Sequence, residues 1–333
     1  MMKLNNMRIA MMTGLSVLTL SAAFTPAYAQ ESGAVLEIEN FIGRLTITNG
    51  ERVSVKGEAN GSLSQTDNLW YIDGGEEIEG ASCRENNSRI ELSIGSWSWI
   101  GRRGGYKNLN EYPHLKVTLP PHAHLKVSES IIYGDGQDLG SADISLRYCG
   151  DLVLGDIAGR LDVDIKGSGD LTAQTVGTAD ISIKGSGDVS LDGSGDLNLA
   201  IMGSGDFVAD AVKGTTILSI GGSGDIDIDE LTGALDYSGN GSGDVSIDDI
   251  ESDHVKISTN GSGDVDFESG NIDRMNIRTN GSGDVSFRGQ AGDVEARSNG
   301  SSDIYVRKAS GDVRATASGS DGVKIDGVRY ERD

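Results

Sequence analysis

The chain has 333 residues, of which 51 are Asp or Glu and 28 are Lys or Arg, giving a net charge of −23. That balance argues against a nucleic-acid ligand, whose phosphates demand a basic face, and against an anionic membrane surface. It suits a soluble exported protein, and it is compatible with divalent cations or a basic partner.

The first element is an export signal. Lys3 and Arg8 precede the apolar run "MMTGLSVLTLSAAF", which ends at Ala27-Tyr28-Ala29. This is the layout of a signal peptide over 1–29, cleaved to leave Gln30 first. The run is too short and wrongly flanked to span a bilayer, and nothing in the mature chain is long and apolar enough to do so. No Cys lies near the cleavage point, which argues against a lipid anchor. The removed segment holds two bases and no acid, so the mature chain carries −25.

Strand patterns follow. "AVLEIENF", "GRLTITNG" and "ERVSVKGEA" alternate apolar and polar residues, and "RIELSIG", "HLKVTLP" and "HLKVSES" continue the alternation. The pattern predicts less regular rungs over 30–150. One segment interrupts it: "GSWSWIGRRGGYKNLNEYPH", Gly95–His114, which is basic and aromatic in an acidic protein. Trp97, Trp99, Arg102, Arg103 and Tyr106 are the candidate binding residues, since aromatic and Arg side chains on a loop are what binding hot spots favour. The same Trp residues would equally serve to cover an open end or flank of the fold. Cys83 and Cys149 permit one disulfide in an exported chain, or remain two thiols, Cys149 lying in an apolar strand pattern. His122 and His124 share a face if extended, but zinc needs a third ligand and none is near.

From Asp151 onward a repeat takes over. Gly-Ser-Gly-Asp ends at Asp170, Asp188, Asp206, Asp225, Asp244, Asp264 and Asp284, in steps of 18 to 20 residues, with a degenerate copy ending at Asp303 and "YCGD" ending at Asp151. An extra copy, Gly193–Asp196, falls where a second strand begins. Each repeat holds two short alternating runs and a lone apolar corner residue, among them Val176, Val212, Leu231, Ile250 and Ile272. Such a unit cannot bury its apolar side alone, but copies stacked on one another can. The expected fold is all-β: a single-stranded parallel β-helix, or β-solenoid, of roughly nine rungs at about 4.8 Å each. It is expected to be right-handed, as parallel crossovers are, and to form one domain over 30–333 with regular repeats over 151–326. No Pro follows Pro121, as continuous ladders require.

Gly in the motif is expected to supply positive φ and to let coils approach. Asn240, Asn260, Asn280 and Asn299 precede four copies and would stack as a ladder. Ser and Asp would cap backbone N–H groups. An Asp column repels itself, by about 0.9 kcal/mol per neighbouring pair even in bulk water. Calcium on Asp206, Asp225, Asp244, Asp264 and Asp284 is the alternative means of offsetting that, although the spacing differs from the nine-residue calcium-binding β-roll repeat. No catalytic residues stand out: the acids are spread along the column, and no Gly-x-Ser-x-Gly elbow or phosphate loop is present.

"LEIENFIGRLTITNGERVSVKG", "LKVTLPPHAHLKVSESIIYGDG" and "IKGSGDLTAQTVGTADISIKGSGDVSL" together resemble the bacterial head GIN domain family of auto-transporter adhesins, over nearly all of Ala34–Ile325. The resemblance implies a right-handed parallel β-helix in an exported envelope protein and supplies no catalytic residues. The chain ends in charged, solenoid-like sequence, "DGVKIDGVRYERD", where a classical autotransporter would carry a membrane barrel. The expected function is a non-enzymatic envelope or surface module, periplasmic or outside the cell, binding a glycan, protein or other surface ligand. The alternatives are a carbohydrate-active β-helix enzyme and a calcium-stabilised scaffold.

Overall fold

The computed structural model describes residues 33–57, 61–76, 78–86, 89–93, 97–98, 101–102, 106–318 and 322–330. The expected signal peptide, 1–29, lies outside them. The chain forms an all-β parallel solenoid of about 10 turns. Among the described residues the only helical element is a 3₁₀ turn, Leu109–Glu111. None of their helices is long and apolar enough to cross a membrane.

Each regular turn lays one strand on a first face, directly after Gly-Ser-Gly-Asp, and one on a second face after a corner. Stacking keeps register. Ile226 pairs with Val245, Val245 with Val265, and Val265 with Val285 on the first face. Tyr237 pairs with Ile257 and Ile257 with Ile277 on the second. The period-2 alternation of the sequence sends these columns inward, where they form one continuous core. Each fully buried aliphatic or Phe side chain in them contributes about 2 kcal/mol of transfer free energy. Val176, Val212, Leu231, Ile250 and Ile272 close the core at the corner, all at most 2 % exposed.

The N-terminal strands are interleaved with later ones. β1 (Val35–Glu39) and β2 (Ile42–Asn49) precede β3 (Ser54–Lys56), β4 (Ser62–Thr66) and β5 (Leu69–Asp73). After an excursion come β11 (His114–Leu119), β12 (His124–Ser128) and β13 (Ile131–Gly136). β1 sits between β5 and β12, and β2 between β11 and β13, all parallel. β3 runs antiparallel on β11, and β4 antiparallel on β5. They close that end of the rod. At the other end Val328–Tyr330 folds back antiparallel on Val323–Ile325.

One strand pattern is not a rung. "RIELSIG" supplies β7 (Arg89–Ser93), which lies in a separate antiparallel sheet between β6 (Ser82–Asn86) and β10 (Lys107–Asn108). Leu92 and the half-buried Ile90 belong to a second, small core with Ile78, Leu109, Ile42, Ile131 and Cys149. Alternation shows that a strand buries one side; it does not show which core receives it.

Candidate functional site

The repeated corner is built from four columns. Both glycines of the motif are there because the coils approach closely. A Cβ on Gly241 would lie 1.9 Å from the Gly222 carbonyl oxygen, and one on Gly243 would lie 2.0 Å from that of Gly224. The expected positive φ is not found at these positions; of the four-residue turns it occurs only at Gly150 of "YCGD". The missing side chain, not the left-handed backbone, is what the corner uses.

The Asp column does fall in adjacent rungs, and each carboxylate clips two rungs together. Asp206 Oδ1 accepts the backbone N–H of Asp225 at 2.8 Å, Asp225 Oδ1 that of Asp244 at 2.8 Å, and Asp244 Oδ1 that of Asp264 at 2.7 Å. Asp264 and Asp284 continue the series, and it ends where Asp303 Oδ1 accepts from Gly322. The extra copy ending at Asp196 does the same at the opposite corner, accepting from Thr215 at 2.7 Å. Among the described residues no group of three or more His, Cys, Asp or Glu is placed to hold a metal ion.

The Asn ladder is also present. Asn260 donates its side-chain amide to Asn240 at 2.9 Å, Asn280 to Asn260 at 2.8 Å, and Asn299 to Asn280 at 2.9 Å. Between Asn and Asp the Ser side chains face outward. Together with the Gly backbone they line a shallow, open groove over Gly221–Ser223, Asn240–Ser242, Asn260–Ser262 and Gly281–Ser282.

A further acidic column was open to sequence reasoning but not taken from it. Asp192, Asp210, Asp229, Asp248 and Glu268 stand four residues after a motif Asp, and spacing by an even number in a strand places both on one face. All five are exposed. Asp227 lies between the two columns, and burial, with Asp248 and Asp229 nearby, pushes its carboxyl above the usual range. Arg288 takes the next position in the column and pairs with Asp266 and Glu268. The second face instead mixes signs: Arg160 bridges Asp162 and Asp180, and Lys166 and Lys184 share Asp164.

The same corner is built up in the N-terminal turns, several turns away from the groove. By register, Ile42, Ile131 and Cys149 occupy the position that Ser takes in later turns. Those three residues receive the excursion, which is joined to the corner through Cys83 and Cys149, Cα atoms 6.3 Å apart. That spacing is within disulfide range. Within the excursion the Arg84 guanidinium lies 3.8 Å over the Tyr106 ring and pairs with Glu91, while Tyr106 Oη meets Ser82 Oγ at 3.2 Å. Of the candidate binding residues, Tyr106 therefore helps hold the sheet together. Trp97 and Arg102 are opposite one another in the short hairpin β8 (Trp97–Ser98) and β9 (Gly101–Arg102). Trp99 and Arg103 lie outside the described residues. His124 is engaged by Ser141 and Asp143, at 2.7 and 3.5 Å.

A family model described as "Putative auto-transporter adhesin, head GIN domain" matches residues 114–210 and 211–328. No curated protein and no solved structure matches the chain.

Proposed function

The chain belongs to the auto-transporter adhesin head GIN domain family, and from that premise we propose that it is an exported, non-enzymatic envelope module that binds a glycan or protein on a facing surface. The observation that carries the reading is the use made of its carboxylates. The repeated Asp side chains, the residues most suggestive of chemistry in the sequence, accept backbone N–H groups from one turn to the next. An acid–base pair for glycoside cleavage would instead need a local break in the columns. What the rod offers is area: a polar groove, an acidic face and, in the excursion between β5 and β11, a short hairpin whose sequence is aromatic and basic.

Binding is assigned to that hairpin, where Trp97 and Arg102 pair and Trp99 and Arg103 lie close in sequence. Trp and Arg are enriched among the interface residues that carry most of the binding energy. The test is capture of labelled mature protein on glycan arrays and intact cells, comparing wild type with the double variant Trp97→Ala/Trp99→Ala. The expected result is at least about a tenfold loss of binding with an unchanged melting temperature. A variant that melts early, or one that binds as before, would show that these residues cover the sheet and bind nothing.

A further inference from the structure

We propose that the N-terminal turns carry an oxyanion site on the first face, formed by Arg44, Lys56, His114 and Lys116, which takes phosphate or sulfate groups. The position that Asp holds in the regular turns changes sign there. Followed back along the ladder from Asp170 and Asp151, it is occupied by Tyr133, Arg44 and His114. The next outward column changes in the same way, from Asp135 to Thr46, Lys116 and Lys56. In a chain of net charge −23, this places Arg44, Lys56 and Lys116 with a histidine on one surface. At strand and residue spacings, their backbones lie within about 12 Å of one another.

The fold leaves these cations unanswered. Among the described residues no carboxylate forms an ion pair with Arg44, Lys56 or Lys116. Lys56 stands directly opposite Lys116 in the antiparallel pair of β3 and β11. Like charges so placed are destabilising, and an oxyanion between them reverses the sign of the interaction. Arg44 Nε is buried without a hydrogen-bond partner, a donor whose desolvation nothing in the chain offsets. Guanidinium and ammonium groups are the usual partners of phosphate and sulfate oxygens.

The surroundings agree. Burial, with Arg44 and Lys116 nearby, holds the His114 imidazole below its usual range, against the opposing pull of Asp135. Its Nε2 meets Thr46 Oγ1 at 3.0 Å, and the Thr48 and Thr118 hydroxyls adjoin at 3.3 Å, so neutral hydrogen-bonding groups lie beside the cations. Asp135 itself is exposed and faces Thr46 in register. The acidic columns do not cancel the patch. By register Asp188 lies five ladder steps from His114. That is about 24 Å, well beyond a screening length of about 8 Å at physiological salt. The site is separate from the Trp97 hairpin and does not rest on it.

The test is fluorescence anisotropy of a labelled sulfated oligosaccharide with the mature chain at low salt. Inorganic sulfate, inorganic phosphate and chloride compete at matched ionic strength. The sulfated chain is expected to bind and its unsulfated counterpart not to. Lys56→Gln/Lys116→Gln is expected to weaken binding at least about tenfold. That variant relieves a like-charge pair, so its melting temperature is expected to hold or rise. Lys213→Gln, at an exposed position several turns away, is expected to bind as wild type does. Displacement by sulfate or phosphate beyond that by chloride assigns the site to a single oxyanion. Displacement by the sulfated chain alone assigns it to such groups carried on a saccharide. A wild type that ignores the sulfated chain, or binds the unsulfated one equally, overturns the proposal. So does a Lys56→Gln/Lys116→Gln variant that binds like wild type, or a Lys213→Gln variant that binds as weakly as it does.

Discussion

Asp225 is a carboxylate in a row of carboxylates, and it is held there by a backbone N–H. Its Oδ1 accepts from Asp244, and its own N–H donates to Asp206. The interaction needs an acceptor oxygen at that place, not a charge. Asp225→Asn keeps the acceptor and removes two neighbouring repulsions, so the melting temperature is expected to hold or rise. Asp225→Ala loses the hydrogen bond and is expected to cost about 1 kcal/mol in chemical denaturation. If Asn were as damaging as Ala, the charge itself would matter and the clip would not explain the column. Asp and Asn were legible as stacking residues because the repeat placed them at one step per turn. The reason for Gly was only half legible. Sequence shows that Gly recurs, but not whether positive φ or close approach demands it; the carbonyl of the turn beneath, invisible in any single repeat, decides it.

At the scale of elements, the excursion shows where pattern reading reaches its limit. β7 alternates as a rung would, yet Leu92 turns to a different core. Nothing local distinguishes the two destinations, because both bury one side of a strand. The hairpin residues were singled out by composition, which does not show that Trp97 and Arg102 stand opposite one another across two strands. What fixes the excursion is the link between Cys83 and Cys149, 66 residues apart. Closing a loop of that length restricts the unfolded chain by about 4 kcal/mol in the chain-entropy account. Cys83→Ser is therefore expected to lower stability by an amount of that order. Proteolysis of the variant is expected to cut first within 78–112 while the 151–318 fragment stays intact. Simultaneous loss of both regions would mean that the excursion and the rod unfold as one unit.

Over the whole molecule, charge is distributed in zones. Nineteen acids and two bases lie between Asp188 and Asp273, while ten bases and nine acids follow from Arg274 to the end. The composition gave the surplus, and the register lays ten of those nineteen acids out as two exposed columns on one face. Screening of that face stabilises the fold in salt. Calcium is proposed to act only through ionic strength, since the motif Asp side chains already accept backbone N–H groups. Melting in CaCl₂, in NaCl of matched ionic strength and in EDTA is expected to give equal temperatures for the two salts and no loss with the chelator. A rise specific to Ca²⁺ would instead favour a calcium-bound scaffold.

The placement of β2 between β11 and β13 has a consequence for how the molecule comes into being. Arg44 pairs with His114 and Tyr133, so the earliest strands to be synthesised have to wait for partners that emerge some seventy to ninety residues later. The regular turns need only eighteen to twenty. Short-range closures form faster than long-range ones. The rod is thus expected to assemble from its middle outward, and the segment synthesised first to be the last locked in place.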